Sequence, residues 1–316
     1  MVSLQKCGVI GVGYVGATAA FTLATSGLFS EITLVDMNEK KAAAEAADIN
    51  HGIAFAKPCA VRAGGYADLA ACGLIVIAAG ANQKPGETRV ELLGRNRVLM
   101  KAIIECILEV NQHAMLLLVS NPVDVLTYMA QKLSGLPAGR VIGSGTVLDT
   151  ARLKYLVGQH LSVDSRNVHA FIIGEHGDSE LAVWSSANVS GVDLEDYCRL
   201  TGKDYSLGAM QRIYENVRDA AYSIIEGKGA TYYGIGLAVR RIAEAIVRDE
   251  HSVLPVSSLI SGHYGIDGLC LGLPSVVGRN GVESVLDIPL AKDELSQLQG
   301  SADKLKALIH ELEASE

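Results

Sequence analysis

Short apolar runs alternate with stretches of helical periodicity along the first half of this 316-residue chain. The runs fall at residues 7–10, 32–35, 74–79, 115–119 and 141–142. Between them, residues 89–110 place Leu92, Leu93, Leu99, Ile103, Ile107 and Val110 at helical spacing. Continuous apolar strands separated by helices predict a parallel sheet buried on both faces. Ligands bind such sheets at the carboxyl ends of the strands. Gly11, Asp36, Gly80, Asn121 and Gly143, which follow the runs, are therefore the positions to examine.

The pattern changes from about residue 148. Residues 167–184 read as two strands around a tight turn, and helices follow at 211–226 and 232–248. Further strands are predicted at 252–261, 269–273 and 275–278, with Asn280-Gly281 as a hairpin signal. Residues 293–313 carry Leu295, Leu298, Leu305, Leu308 and Leu312 on one helix face.

The first run leads into Gly11, Gly13 and Gly16 at G-x-G-x-x-G spacing, then into an Ala-rich helix that stops at Gly27. Gly11 permits a tight turn, Gly13 lets backbone approach a pyrophosphate, and Gly16 lets helix and strand pack closely. The helix N-terminus offers free N–H groups to the phosphates. Asp36 closes the second run, where an acid binds ribose hydroxyls and repels an added phosphate, so NAD is favoured over NADP. The predicted fold is α/β: a Rossmann-type doubly wound parallel sheet in residues 1–147, followed by an α+β substrate domain in residues 148–316.

Composition narrows the function classes. Charged residues make up 20% and apolar residues 49%, which suits a soluble, well-buried protein. A net charge of −8 argues against nucleic acid or an anionic membrane as partner. Residues 7–30 lack charge and follow Lys6, as a signal peptide would, but glycine, threonine and serine break the run. Six cysteines without a C-x-x-C pair read as reduced core residues of a cytoplasmic protein, with no metal site implied.

A nicotinamide cofactor needs a group that takes the hydroxyl proton, and histidine is the natural base near neutral pH. Of eight histidines, His176 alone sits in a glycine-flanked turn after an apolar strand. Residues 80–89 form a polar loop facing the expected cofactor, readable as a plain exposed connection or as a lid. Asn121 is either a turn residue before proline or a nicotinamide neighbour. Asp149 fits a capping box opened by Thr146, and it shares a helix face with Arg152.

Taken together, GVGYVG (11–16), the 80–89 loop, VSNPVD (119–124), LDTARL (148–153), IIGEHGD (172–178) and GATYYG (229–234) resemble the bacterial L-lactate dehydrogenases over nearly the whole chain. The resemblance implies a glycolytic, fermentative enzyme acting on pyruvate and L-lactate with NAD, assembled as a homotetramer. It implies that His176 is the general acid and base, that Asp149 stabilises its imidazolium, and that Arg152 grips the substrate carboxylate. Arg89 would polarise the carbonyl, and Gln83 would read the substrate side chain. Asn121 would lie beside the carbonyl and nicotinamide, Thr231 near the substrate methyl, and Ile235 against the nicotinamide.

Malate dehydrogenases resemble the chain too, but carry arginine where Gln83 stands; a neutral glutamine would leave a second substrate carboxylate unpaired. A non-catalytic NAD-binding protein would keep the glycines and Asp36 without needing His176, Arg89 and Arg152. Many bacterial relatives are activated by fructose bisphosphate held by an arginine and a histidine. Here Lys154 and His169 stand at those positions, readable equally as solvated surface groups.

Overall fold

In a computed structural model, residues 2–81 and 89–314 are described. The first half runs β1 (Ser3–Ile10), α1 (Tyr14–Ser26), β2 (Glu31–Val35), α2 (Glu39–Gly52), β3 (Ala60–Ala63), β4 (Cys72–Ile77), α3 (Arg89–Val110), β5 (Met115–Leu118), α4 (Val123–Ser134) and β6 (Val141–Gly143). These six strands lie parallel in the order β3-β2-β1-β4-β5-β6. Strand order reverses between β1 and β4, the switch point where a crevice opens.

Both faces of this sheet are dry, which explains the unbroken apolar runs. All six residues of β4 are buried. Leu74 and Val76 join the core on one face, while Ile75 and Ile77 join the other, as a period of two requires. Helix α3 spans the 22 residues that the periodicity indicated. Helix α2 is capped by Asn38, whose side chain accepts the Lys41 N–H at 3.1 Å.

The second half continues with α5 (Val147–Leu161), β7 (Val168–Ile173), β8 (Leu181–Val189), β9 (Val192–Asp193), α6 (Leu194–Thr201), α7 (Leu207–Arg218), α8 (Ala220–Lys228) and α9 (Tyr233–Val247). It closes with β10 (Ser252–Leu254), β11 (Ser257–His263), β12 (Ile266–Gly272), β13 (Ser275–Gly278), β14 (Gly281–Val285) and α10 (Lys292–Ala314). Strand β11 joins the large sheet antiparallel to β6, and β12 pairs antiparallel to β11, so both halves of the chain share it. β7-β8-β9 and β10-β13-β14 form two smaller sheets. A third core packs α5, α6 and α7 against β7 and β8.

Four local expectations shift. The strand expected at 252–261 is two, β10 and β11, which lie in different sheets. The helix expected at 211–226 is two helices, because Asp219 ends α7 and precedes α8. The β13–β14 hairpin turns through Arg279 and Asn280, with Gly281 already paired to Gly278 at φ 92°. Thr146 does not cap α5: its hydroxyl donates to Ile172 O at 2.6 Å instead. The six cysteines carry free thiols, five of them buried. No helix among the described residues is long and apolar enough to cross a membrane.

Candidate active site

The glycine loop sits at the switch point. Gly11 has φ 87°, and a Cβ there would lie 2.5 Å from Ala79 N on the neighbouring strand end. At Gly16 a Cβ would meet Gly11 O at 1.8 Å, so helix and turn approach as only glycine allows. Gly13 faces open space, and its position before α1 carries no side-chain cap. Unclaimed N–H groups at the positive end of a helix, beside an uncrowded glycine, suit a pyrophosphate.

Asp36 follows β2 and reaches this loop. Its Oδ2 accepts the Val12 N–H at 2.8 Å, and its Oδ1 accepts the Asn38 N–H at 2.9 Å. Each oxygen keeps lone-pair capacity for a ribose hydroxyl. The residues present therefore fit a dinucleotide such as NAD.

Carboxylate, imidazole and guanidinium meet in the second half. Asp149, 2% exposed on the first turn of α5, accepts from Arg152 Nη1 through Oδ1 at 2.7 Å. Its Oδ2 lies 2.7 Å from His176 Nδ1. The i,i+3 spacing sets the first contact, and the β7–β8 turn delivers the second. Burial opposes a charge on His176, but the Asp149 carboxylate outweighs it and pushes the imidazole up to about 9. Burial also opposes the Asp149 charge, yet His176 and Arg152 hold that carboxyl below its usual range. An imidazole fixed at Nδ1 presents Nε2 to a reactant.

A cavity of about 480 Å³ opens over this group, lined in part by Leu93, Asn121, Arg152, His176, Glu180 and Arg218. Asn121, joined to Pro122 by a cis peptide, is exposed at its wall. Thr231 is not among the lining residues. It lies in the turn before α9, which is tied to α1 by Tyr232 stacking on Tyr14 with centroids 5.4 Å apart. Ile235 is half-buried against the core that holds Val12 and Val119. Gln83 and the side chain of Arg89 lie outside the described residues, although the backbone of Arg89 opens α3.

Lys154 and His169 stand apart from this chemistry. Lys154 is half-buried, and desolvation pushes its amine down. His169 is exposed on β7, opposite Asn188. Strand alternation cannot relate His169 to His176, because β7 has a register shift after His169 and ends at Ile173. Among the described residues no hydrogen bond or ion pair links Lys154 to His169.

Two residues escaped the sequence reading. Asp124, 2% exposed on α4, accepts the His176 N–H at 2.8 Å and the Ser257 hydroxyl at 2.6 Å. Burial pushes its carboxyl up to about 6. It braces the turn that carries the imidazole, and its only signal was its place at the end of VSNPVD. Glu180, 4% exposed, lines the cavity four residues past His176 with no motif to mark it.

Comparison with known proteins places these features in one family. Residues 5–143 match the lactate/malate dehydrogenase NAD-binding domain, and residues 146–316 match the family's alpha/beta C-terminal domain. An L-lactate dehydrogenase of Thermoanaerobacter sp. (strain X514) is 51% identical over 310 residues, covering 98% of this chain and 100% of that protein. The L-lactate dehydrogenase of Acetivibrio thermocellus is also 51% identical, over 98% of each. The crystal structure of a lactate dehydrogenase from a Medee basin deep-sea metagenome library superposes with a TM-score of 0.95 at 45% identity, covering 98% of this chain and 99% of that one. The ligands-bound minor L-lactate dehydrogenase of Enterococcus mundtii gives 0.94 at 38% identity, covering 97% and 98%. By its matched domains, its sheet order and its Asp149–His176–Arg152 group, the chain belongs to the lactate/malate dehydrogenase family.

Proposed function

We propose that this chain is an NAD-dependent L-lactate dehydrogenase that interconverts pyruvate and L-lactate, with His176 as general acid and base. The observation that carries the reading is one buried carboxylate, Asp149, holding both the imidazole and the guanidinium at the floor of one cavity. Residues 1–147 hold the cofactor through Gly11, Gly13, Gly16 and Asp36, and residues 148–316 supply the acid, the base and the carboxylate grip. NADH, when bound, supplies the hydride for the carbonyl carbon.

The protein's own groups do the rest. Arg152 has one nitrogen engaged by Asp149 and others left to take the substrate carboxylate, in a planar fork that lysine lacks. His176 donates the Nε2 proton to the carbonyl oxygen, and Asp149 stabilises the imidazolium before that transfer. Arg89 polarises the carbonyl, Gln83 reads the side chain, and Thr231 stands near the substrate methyl. Asn121 faces the carbonyl and nicotinamide, with Ile235 behind the ring. The test follows NADH absorbance with pyruvate, with oxaloacetate and with neither. Faster loss with oxaloacetate would make the protein a malate dehydrogenase, and no loss with either would make it a non-catalytic NAD-binding protein.

Assembly and regulation belong to the same reading. The chain acts in the cytoplasm as a homotetramer. In support, α1 packs on α9, and these neighbouring helices expose Tyr14 (72%), Phe21 (52%), Tyr233 (66%) and Leu237 (57%), an apolar face that a second copy would cover. Sedimentation of the pure protein tests it, and a monomer overturns it. Fructose bisphosphate activates through Lys154 and His169. Lysine binds phosphate as a point charge, so activation is weaker than an arginine would give. Identical pyruvate saturation curves with and without fructose bisphosphate at acidic pH would overturn it.

A further inference from the structure

Two acids besides Asp149 line the cavity: Asp178, whose Oδ1 accepts the Tyr222 hydroxyl at 3.1 Å, and Glu180, to which the proposed reaction gives no task. The Glu180 backbone is fixed at both polar groups: its N–H donates to Gly177 O at 3.1 Å, and its carbonyl accepts the Tyr214 hydroxyl at 2.5 Å. The backbone from which the side chain projects is therefore held beside the reacting groups. One of the Glu180 carboxyl oxygens, one of Asp149 and a nitrogen of His176 all lie within 4.8 Å of one another. Yet Oε1 of Glu180 is buried with no hydrogen-bond partner, and among the described residues Glu180 forms no ion pair. Buried carboxylates are normally paired; a buried, unpaired carboxyl avoids the cost by keeping its proton.

We propose that Glu180 is a positioning residue that must be protonated for the substrate carboxylate to settle on Arg152, so that its ionisation limits substrate binding on the alkaline side. This rests on the lactate dehydrogenase reading. The charges facing Glu180 set the balance. Asp149 and Arg152 come from α5, His176 from the β7–β8 turn, and Arg218 from α7. Asp124 on α4 acts on His176 from behind. Arg218 is already paired with Asp219 at 2.8 Å, so with Glu180 neutral Asp149 alone opposes Arg152 and protonated His176, leaving one positive charge for an anionic substrate. With Glu180 ionised, that surplus disappears and a second carboxylate competes for the same guanidinium.

Burial, then the Asp149 charge, push the Glu180 carboxyl up to about 8, in line with the missing partner. A metal ion is a poorer occupant of the cluster. Asp149 and His176 are already joined by a 2.7 Å hydrogen bond, which uses the atoms an ion would need.

The experiment compares wild type with Glu180→Gln, and with Glu180→Met as a second variant of similar size. The first measurement is the dissociation constant of oxamate, an unreactive isostere of pyruvate, with saturating NADH from pH 7 to pH 9. Wild-type binding is expected to weaken by about tenfold or more over that range, and Gln or Met binding by less than about fivefold, the residue of the His176 titration. The second measurement is the melting temperature without cofactor. The folded protein keeps the Glu180 proton to about pH 8 and the unfolded chain loses it near 4.5. Wild type should therefore lose stability against either variant as pH rises from 5 to 8, and run parallel above. Parallel oxamate curves, or a melting difference independent of pH, would overturn the proposal. The melting comparison needs neither cofactor nor substrate, so it reads Glu180 even if pyruvate turnover fails.

Discussion

Asp149 and His176 are joined at 2.7 Å across 27 residues of chain, with the carboxylate almost wholly buried and the imidazole half-open to the cavity. The pairing does two things together. It fixes which ring nitrogen faces the substrate, and it raises the proton affinity of the ring to about 9. A ring with that affinity is charged at neutral pH, as the proposed protonation of an oxoacid requires.

Replacing His176 with Asn should leave NADH binding within a few-fold of wild type, because Gly11, Gly13, Gly16 and Asp36 are untouched. Turnover with pyruvate should fall by about a hundred- to ten-thousand-fold, the usual contribution of a placed general acid. Fluorescence titration of NADH together with steady-state rates would check both halves. Retention of more than about a tenth of the rate would assign the proton to another group.

The direction of the reaction should depend on pH with opposite signs. Pyruvate reduction consumes the imidazolium, so at saturating pyruvate it should hold through neutral pH and fall as pH passes about 9. Lactate oxidation needs the neutral ring and should rise over the same interval. The same raised affinity makes the ion pair stabilising below the ordinary histidine value of 6.5, with the contribution lost as pH climbs through about 9. Asp149→Asn removes the cause of the rise and should move the reduction midpoint down by about one unit or more. An unmoved midpoint would show that Asp149 does not set it.

Gln83→Arg should turn preference from pyruvate toward oxaloacetate. The guanidinium pairs with a second carboxylate and is left uncompensated when pyruvate binds, so both effects act in one direction. The ratio of kcat/KM for the two oxoacids should change by at least about tenfold, roughly 1.4 kcal/mol.

Asp124→Ala should weaken both fold and catalysis. It leaves the His176 N–H and the Ser257 hydroxyl without their acceptor in a buried place. An unsatisfied buried group of this kind costs about 1–3 kcal/mol. Urea unfolding should show a loss in that range, and turnover should drop because the turn carrying His176 loses its brace. Unchanged stability would mean that water replaces the carboxylate.

Much of the molecule is written in local sequence. Apolar runs at residues 74–79 and 115–119 have to be buried on both faces, which no edge or solvent-facing strand permits, so the parallel sheet and its helices follow from chain-local patterning. Gly11, Gly13 and Gly16 announce a close backbone approach because other residues would collide there, as the 1.8 Å contact at Gly16 shows. Arg152 could be placed beside Asp149 from their spacing alone, since a helix brings i and i+3 together.

Tertiary structure decided the rest. Nothing within residues 146–149 distinguishes a capping aspartate from one that holds an imidazole; the choice is made when the β7–β8 turn brings His176 to α5 and Thr146 turns to Ile172. Glu180 carries no motif signal and Asp124 only its place at the end of VSNPVD, because their environment is assembled from α4, α5, α7 and a turn that are distant in sequence. Likewise β11 and β12 complete the large sheet from more than a hundred residues downstream of β6. Local sequence sets backbone preference and the side of an element that must be dry. Only the packing of distant elements sets which charges share a cavity without water, and that sharing is what moves protons in this site.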